Sequence, residues 1–313
     1  MSKKRLHSLD PREYEHPLDR EALDKLESIP GVKSLVRKVY KEFLEKSLFI
    51  DNFGSNVLIT KDNCSRVNNL LIEASRVLDM QSVPQIFITR KYGLNGFTQG
   101  VEEPHIVLTK KACDELDDNE LLTLIGQELG RIKSGHILYR EIANLGSSLL
   151  DAISQVTLGL GGIPASAINL ALMHWYRMSE FTADRSGLLA SQDLDACISL
   201  ELKLAGVPKN GNLDEFKASF IKQAESFKDY DLKGFNKAIK IVKTLDQDRP
   251  YGVLRTSQIM EWSKSDEYKK ILDREHLNII NEISSDKTFC PNCGTKLITN
   301  NKFCGGCGVQ IKN

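Results

Sequence analysis

Residues Leu124–His136 read LIGQELGRIKSGH, and the spacing of their polar groups decides how the chain is read. Asp117 or Asp118 can cap a helix ahead of the stretch and Glu120 follows in its first turn, so ELLTLIGQELGRIKSG continues as one long helix. Side chains four apart on a helix lie one above the other, which puts Gln127 and Arg131 on one face with Glu128 beside the first. Downstream, HWYRMSEFTADRSGLLASQ reads as another helix carrying Glu180 and Asp184, again four apart.

The rest of the chain sets these two helices in an α+β protein. With 313 residues it can bury a large core as one big domain or two unequal ones. Hydrophobic residues make up 41% and charged residues 27%, as in an ordinary globular protein. Lys plus Arg and Asp plus Glu both number 42, and that balance gives no reason to expect nucleic acid or an anionic membrane as the main partner. SNVLIT and PQIFITR alternate as strands do, with a helix from about Ser65 to Met80 between them. LNGFTQGVEEPHIVLT, Leu94 to Thr109, reads as a turn-rich strand pair ending in a strand from Pro104 to Thr109. A small antiparallel sheet followed by a mostly helical remainder is the expected order. The divisions are an N-terminal helical segment (residues 1–50), a main domain (51–262), a charged helical connector (263–288) and a cysteine-rich tail (289–313).

Basic residues at the amino terminus have no apolar run behind them, so a secretory signal is not expected there. Four of the seven cysteines crowd into the last 24 residues, which suits a reducing, cytoplasmic setting with those four on a metal. The longest uncharged span, residues 152–176, has GLGGIP at its centre and reads as a helical hairpin packed on the protein. A hairpin dipping into a membrane, and hence a membrane-peripheral protein, is the alternative.

In the tail, Cys290, Cys293, Cys304 and Cys307 form two CxxC pairs ten residues apart, with glycines after Cys293 and Cys307. Four thiolates suit a closed tetrahedral zinc site, and so short a segment needs its metal to fold. The pattern resembles a zinc ribbon holding one structural zinc.

The main domain resembles the HtpX and CAAX-prenyl-protease type of zinc metallopeptidase, a gluzincin family, and most closely its soluble members. HPLDREALDKLESIPG, LNGFTQGVEEPHIVLT, LIGQELGRIKSGH and SEFTADRSGLLA carry the resemblance, the last through the family's E-x-x-x-D motif. It implies zinc ligands at positions 127, 131 and 180, a general base at Glu128 and a supporting Asp184. Glu128, Glu180 and Asp184 are present, but Gln127 and Arg131 stand where the family has histidines. At Asp248–Arg249–Pro250, Arg249 replaces the histidine that many members place ahead of an arginine, here Arg255.

An amide oxygen is a poor zinc ligand, and arginine has no lone pair to offer and stays charged. The guanidinium of Arg131 is therefore expected to replace the ion as counter-charge, bridging to one or both of Glu180 and Asp184. His136 falls out of phase on an ideal helix, His105 reads as an edge-strand surface residue, and His174 has the wrong phase for joint ligation with Glu180. His7, His16 and His276 read as surface, and Cys64, Cys113 and Cys197 as lone thiols. Three functions fit these residues. One is an inactive pseudoprotease that binds a protein or extended peptide. The others are an active zinc metalloendopeptidase with unusual ligands, and a membrane-peripheral adaptor using residues 152–176.

Overall fold

The computed structural model describes residues 3–41, 50, 52–144, 165–208, 210–231 and 250–273. Met1–Leu272 forms one compact unit and Asp273–Asn313 a second. The four tail cysteines, the connector beyond Asp273, His276, Arg249 and residues 152–164 lie outside the described residues.

The N-terminal segment folds as α1 (Pro11–Tyr14), α2 (Pro17–Glu27) and α3 (Val32–Val39). A turn at Pro30–Gly31, with Gly31 at φ +80°, separates the last two. Strand β1 (Val57–Leu58) precedes helix α4 (Ser65–Val77), and β2 (Gln85–Thr89), β3 (Gly96–Gln99) and β4 (His105–Thr109) follow. Helices α5 (Lys110–Glu115), α6 (Asp118–Lys133) and α7 (Ile137–Ala143) come next. The 27-residue α8 (Ala165–Ser191) takes in both the second arm of the expected hairpin and the helix of Glu180 and Asp184. The described chain ends with α9 (Leu194–Leu204), α10 (Leu213–Asp231), α11 (Gly252–Trp262) and α12 (Asp266–Leu272). Among the described residues, no helix is long and apolar enough to cross a membrane.

The sheet order is β1-β2-β4-β3, and it is mixed rather than antiparallel. β3 and β4 form the expected antiparallel hairpin, but β4 then returns between β3 and β2 and runs parallel to β2, Gln85 opposite His105 through Thr89 opposite Thr109. Alternation along a strand fixes which face is buried and says nothing about its neighbour. The all-buried run HIVLT did carry the signal of an interior strand, covered on both faces. His105 is accordingly buried, not an edge-strand surface residue.

Helix α6 starts at a capping box. The Asp117 side chain accepts the Glu120 N–H at 2.9 Å, and the Glu120 carboxylate accepts the Asp117 N–H at 2.8 Å. Along its length α6 lies against α8 almost backbone to backbone. A Cβ at Gly126 would stand 2.4 Å from Ala190 Cβ, and one at Gly130 would stand 2.4 Å from Ser186 Cβ. Ser186 Oγ donates to the Gly126 carbonyl at 2.9 Å across this seam. The glycines of IGQELG therefore set the distance between the two site helices. Gly126→Ala is expected to lower stability by about 1–3 kcal/mol through overpacking, read as a reduced urea midpoint at unchanged slope.

Candidate functional site

The close seam brings Gln127, Glu128 and Arg131 from α6 against Glu180 and Asp184 from α8, all of them buried. Arg131 is 2% exposed. Its Nη1 donates to Glu128 Oε1 at 2.9 Å and its Nη2 to Glu180 Oε1 at 2.8 Å. Of the two carboxylates expected to meet it, Arg131 takes Glu180, and Glu128 is an additional partner. Burial works against the charge on Arg131, and the carboxylates of Glu128 and Glu180 outweigh it, so its pKa lies above that of free arginine.

Asp184 is taken by a different cation. Arg255 on α11 reaches it through Nε at 2.9 Å and through Nη2, and Gln127 Nε2 donates to the same carboxylate at 3.0 Å. Burial pushes the Asp184 carboxyl up, against the pull of Arg255. Arg255 Nη1 also lies 3.1 Å from Glu201 on α9, and Arg140 Nη1 from α7 lies 2.8 Å from Glu180 Oε1. Three guanidinium groups thus lie among four buried carboxyl groups.

Arg140 and Glu201 join the site beyond the residues its motifs point to. Glu201 left a signal, being an acid inside the apolar run ISLELKL. Arg140 left none, because it enters only when the chain turns after α6. Thr98 on β3 completes the picture by donating through Oγ1 to Glu128 Oε2 at 2.8 Å and to the Glu128 carbonyl at 3.2 Å.

The other histidines divide unevenly. His16 is buried, not at the surface: Nδ1 accepts the Leu18 N–H at the start of α2, and Nε2 meets Gln258 at 3.1 Å. Burial and then Arg185 push its pKa down to about 4. His136 is also buried, and it is not on α6 at all. The helix ends at Lys133, and Gly135 turns the chain at φ +69°. Gly135 N–H bonds the Ile132 carbonyl and His136 N–H the Arg131 carbonyl, the paired bonds of a Schellman end. His174 is exposed and His7 half-buried. Burial raises the Cys113 thiol to about 11 and the Cys197 thiol to about 12, so neither is a thiolate nucleophile at neutral pH.

Residues 62–263 match the peptidase family M48. The chain belongs to that family. The plastoglobule-localized metallopeptidase 48, chloroplastic, of Arabidopsis thaliana is 29% identical over 278 residues, covering 85% of this chain and 76% of the relative. No solved structure matches significantly. In this M48 chain a cluster of buried ion pairs lies where α6 and α8 meet.

Two predictions follow from this geometry. Arg131→Ala leaves Glu128 with no cation, only the Thr98 hydroxyl, and takes one of the cations from Glu180, and should lower stability by about 3–5 kcal/mol; an unchanged urea midpoint would take Arg131 out of the network. The second concerns Glu141 on α7, which accepts the Gly100 N–H at 2.6 Å beyond the end of β3. Burial raises its pKa from 4.5 to about 7, against the Gly100 N–H and Tyr40. Between those values the folded state holds a proton that the unfolded state has released, so stability falls as pH rises through this window. Glu141→Gln should therefore gain stability relative to the parent chain on going from pH 5 to pH 8, measured by urea unfolding at each pH.

Proposed function

We propose that this M48 chain is a pseudoprotease: a metallopeptidase fold without a catalytic zinc, acting as a binding module for a protein or an extended peptide. The observation that carries the reading is the guanidinium of Arg131 seated between Glu128 and Glu180. A gluzincin site needs lone pairs converging on a cation, with one position left for water. Here the converging groups include N–H donors. Gln127 presents its amide nitrogen to Asp184, Arg131 can only donate, and Glu180 already faces Arg131 and Arg140. These residues do not fit a zinc ion. An active enzyme on unusual ligands would have to seat a divalent cation among three arginines.

Peptide recognition by strand addition needs a sheet edge rather than an ion. The edge beside Glu128 is β3, not the β4 segment PHIVLT. Thr98 fastens β3 to α6, and Gly100 and Val101 donate their N–H groups to Glu141 and to the Tyr40 hydroxyl just past its end. That leaves a sheet edge held in place without metal. In the same proposal, Cys290, Cys293, Cys304 and Cys307 hold one structural zinc, and the protein works in the cytoplasm.

The test restores the missing donors. Gln127→His together with Arg131→His should add one zinc per chain and create peptidase activity on an unfolded protein substrate, while the parent chain shows none. Hydrolysis by the parent chain that stops on chelation would overturn the proposal.

A further inference from the structure

A second set of ligand-type side chains lies beside the ion-pair cluster, near enough for Arg140, Arg131 and Glu180 to act on His136 electrostatically, and shares no residue with it. Glu15 between α1 and α2, Asp19 in the first turn of α2, and His136 at the start of α7 each bring one ligand atom within 4.8 Å of the others. Asp19 is 0% exposed and His136 2%, whereas Glu15 is half-buried and opens the group to solvent.

Their present contacts leave the group incomplete. Asp19 Oδ2 accepts from the Thr182 hydroxyl and lies 3.5 Å from His136 Nε2, long for a hydrogen bond. Asp19 Oδ1 and His136 Nδ1 are enclosed with no hydrogen-bond partner among the described residues. The Trp175 indole N–H comes near the carboxylate without bonding it. Either neutral tautomer of His136 leaves a ring nitrogen unmet. With hydrogen on Nδ1, the Nε2 lone pair faces carboxylate oxygen; with hydrogen on Nε2, the Nδ1 lone pair is stranded. A cation between Nε2 and the carboxylates resolves the first arrangement and leaves only one N–H over.

The positions are well set for this. The Schellman turn at Gly135 swings His136 away from the axis of α6, and the Trp175 ring packs edge-on to it at 5.4 Å. The Tyr14 and Glu15 carbonyls both accept from Arg185, which fixes the backbone of Glu15. Glu15 pairs with Arg20, whose side chain is 53% exposed and also reaches the Arg12 carbonyl.

We propose that Glu15, Asp19 and His136 form a divalent-cation site, with zinc(II) the fitting ion, that fastens the N-terminal segment to the start of α7. One imidazole nitrogen and two carboxylate oxygens suit a borderline first-row cation with water as a fourth ligand. Ligand atoms around tetrahedral zinc stand about 3.3 Å apart, so side-chain adjustment suffices to close the site. This site is independent of the pseudoprotease reading, since it shares no ligand with Gln127, Arg131 or Glu180.

The experiment uses the full-length chain carrying Cys290→Ser and Cys293→Ser, so that the tail contributes no zinc. After equilibrium dialysis against zinc, that chain should retain one ion per molecule by elemental analysis and melt at a higher temperature than after chelation. Adding His136→Gln should abolish both effects. Glu15→Gln, at a half-buried position, should fold normally and weaken zinc binding about tenfold or more. Gln127→Ala should leave the ion in place. No zinc uptake by the Cys290→Ser, Cys293→Ser chain, or uptake that survives both His136→Gln and Glu15→Gln, would overturn the proposal and leave Asp19 as a carboxyl group bonded by the Thr182 hydroxyl.

Discussion

One guanidinium, held between the carboxylates of Glu128 and Glu180, sits where α6 and α8 come closest, and the charges around it depend on its staying there. Glu180 is 0% exposed and Glu128 1%, so neither can turn to water for compensation. An unpaired carboxylate at that depth is strongly disfavoured. Arg131 answers both acids with a charge that no pH within the folded range removes. Arg140 and Arg255 extend the arrangement to Asp184 and Glu201, tying α7, α9 and α11 into the same centre.

The pseudoprotease proposal has an arginine take a metal's place because the two make similar demands on the acids. A zinc ion and a guanidinium both draw carboxylate oxygens toward a common point. They differ in what stands at positions 127 and 131, lone pairs for the first and N–H donors for the second. What both require is the narrow seam made by Gly126 and Gly130 against Ser186, Gly187 and Ala190. The small residues of the two quoted motifs are thus as much part of the site as its charged ones.

Much of this was legible in the sequence, because it depends on local pattern. The cap at Asp117, the span of α6, the β3–β4 hairpin and the joining of Gln127, Glu128 and Arg131 with Glu180 follow from spacing and turn chemistry, helped by the family resemblance. Sheet order was not legible. Nothing in the alternation of β2 and β4 says that they are neighbours, although the unbroken apolar run of β4 says it is interior. The errors over His16, His105 and His136 share one cause. Each is a polar residue that long-range packing buries, and for His136 an ideal helix was extended past a glycine that ends it. The division of cations among acids, Arg255 to Asp184 and Arg131 to Glu128, depends on angstrom-scale side-chain reach that no periodicity encodes.

The ion-pair cluster also bears on how such a protein can still bind. In a hydrolytic site the sheet edge must be registered against the metal, because a bond is cut at one point. In a binding module the edge need only be held at a fixed height above the helices. Thr98 provides this link, since its hydroxyl meets both the carboxylate and the carbonyl of Glu128, while Glu128 is itself held by Arg131. The path from β3 through Thr98 and Glu128 to Arg131 and Glu180 is short, buried and free of any dissociable part. A charge fixed to the chain therefore keeps the edge in place under conditions that would strip an ion, and on the proposed binding role that is the mechanical use of an arginine at this centre.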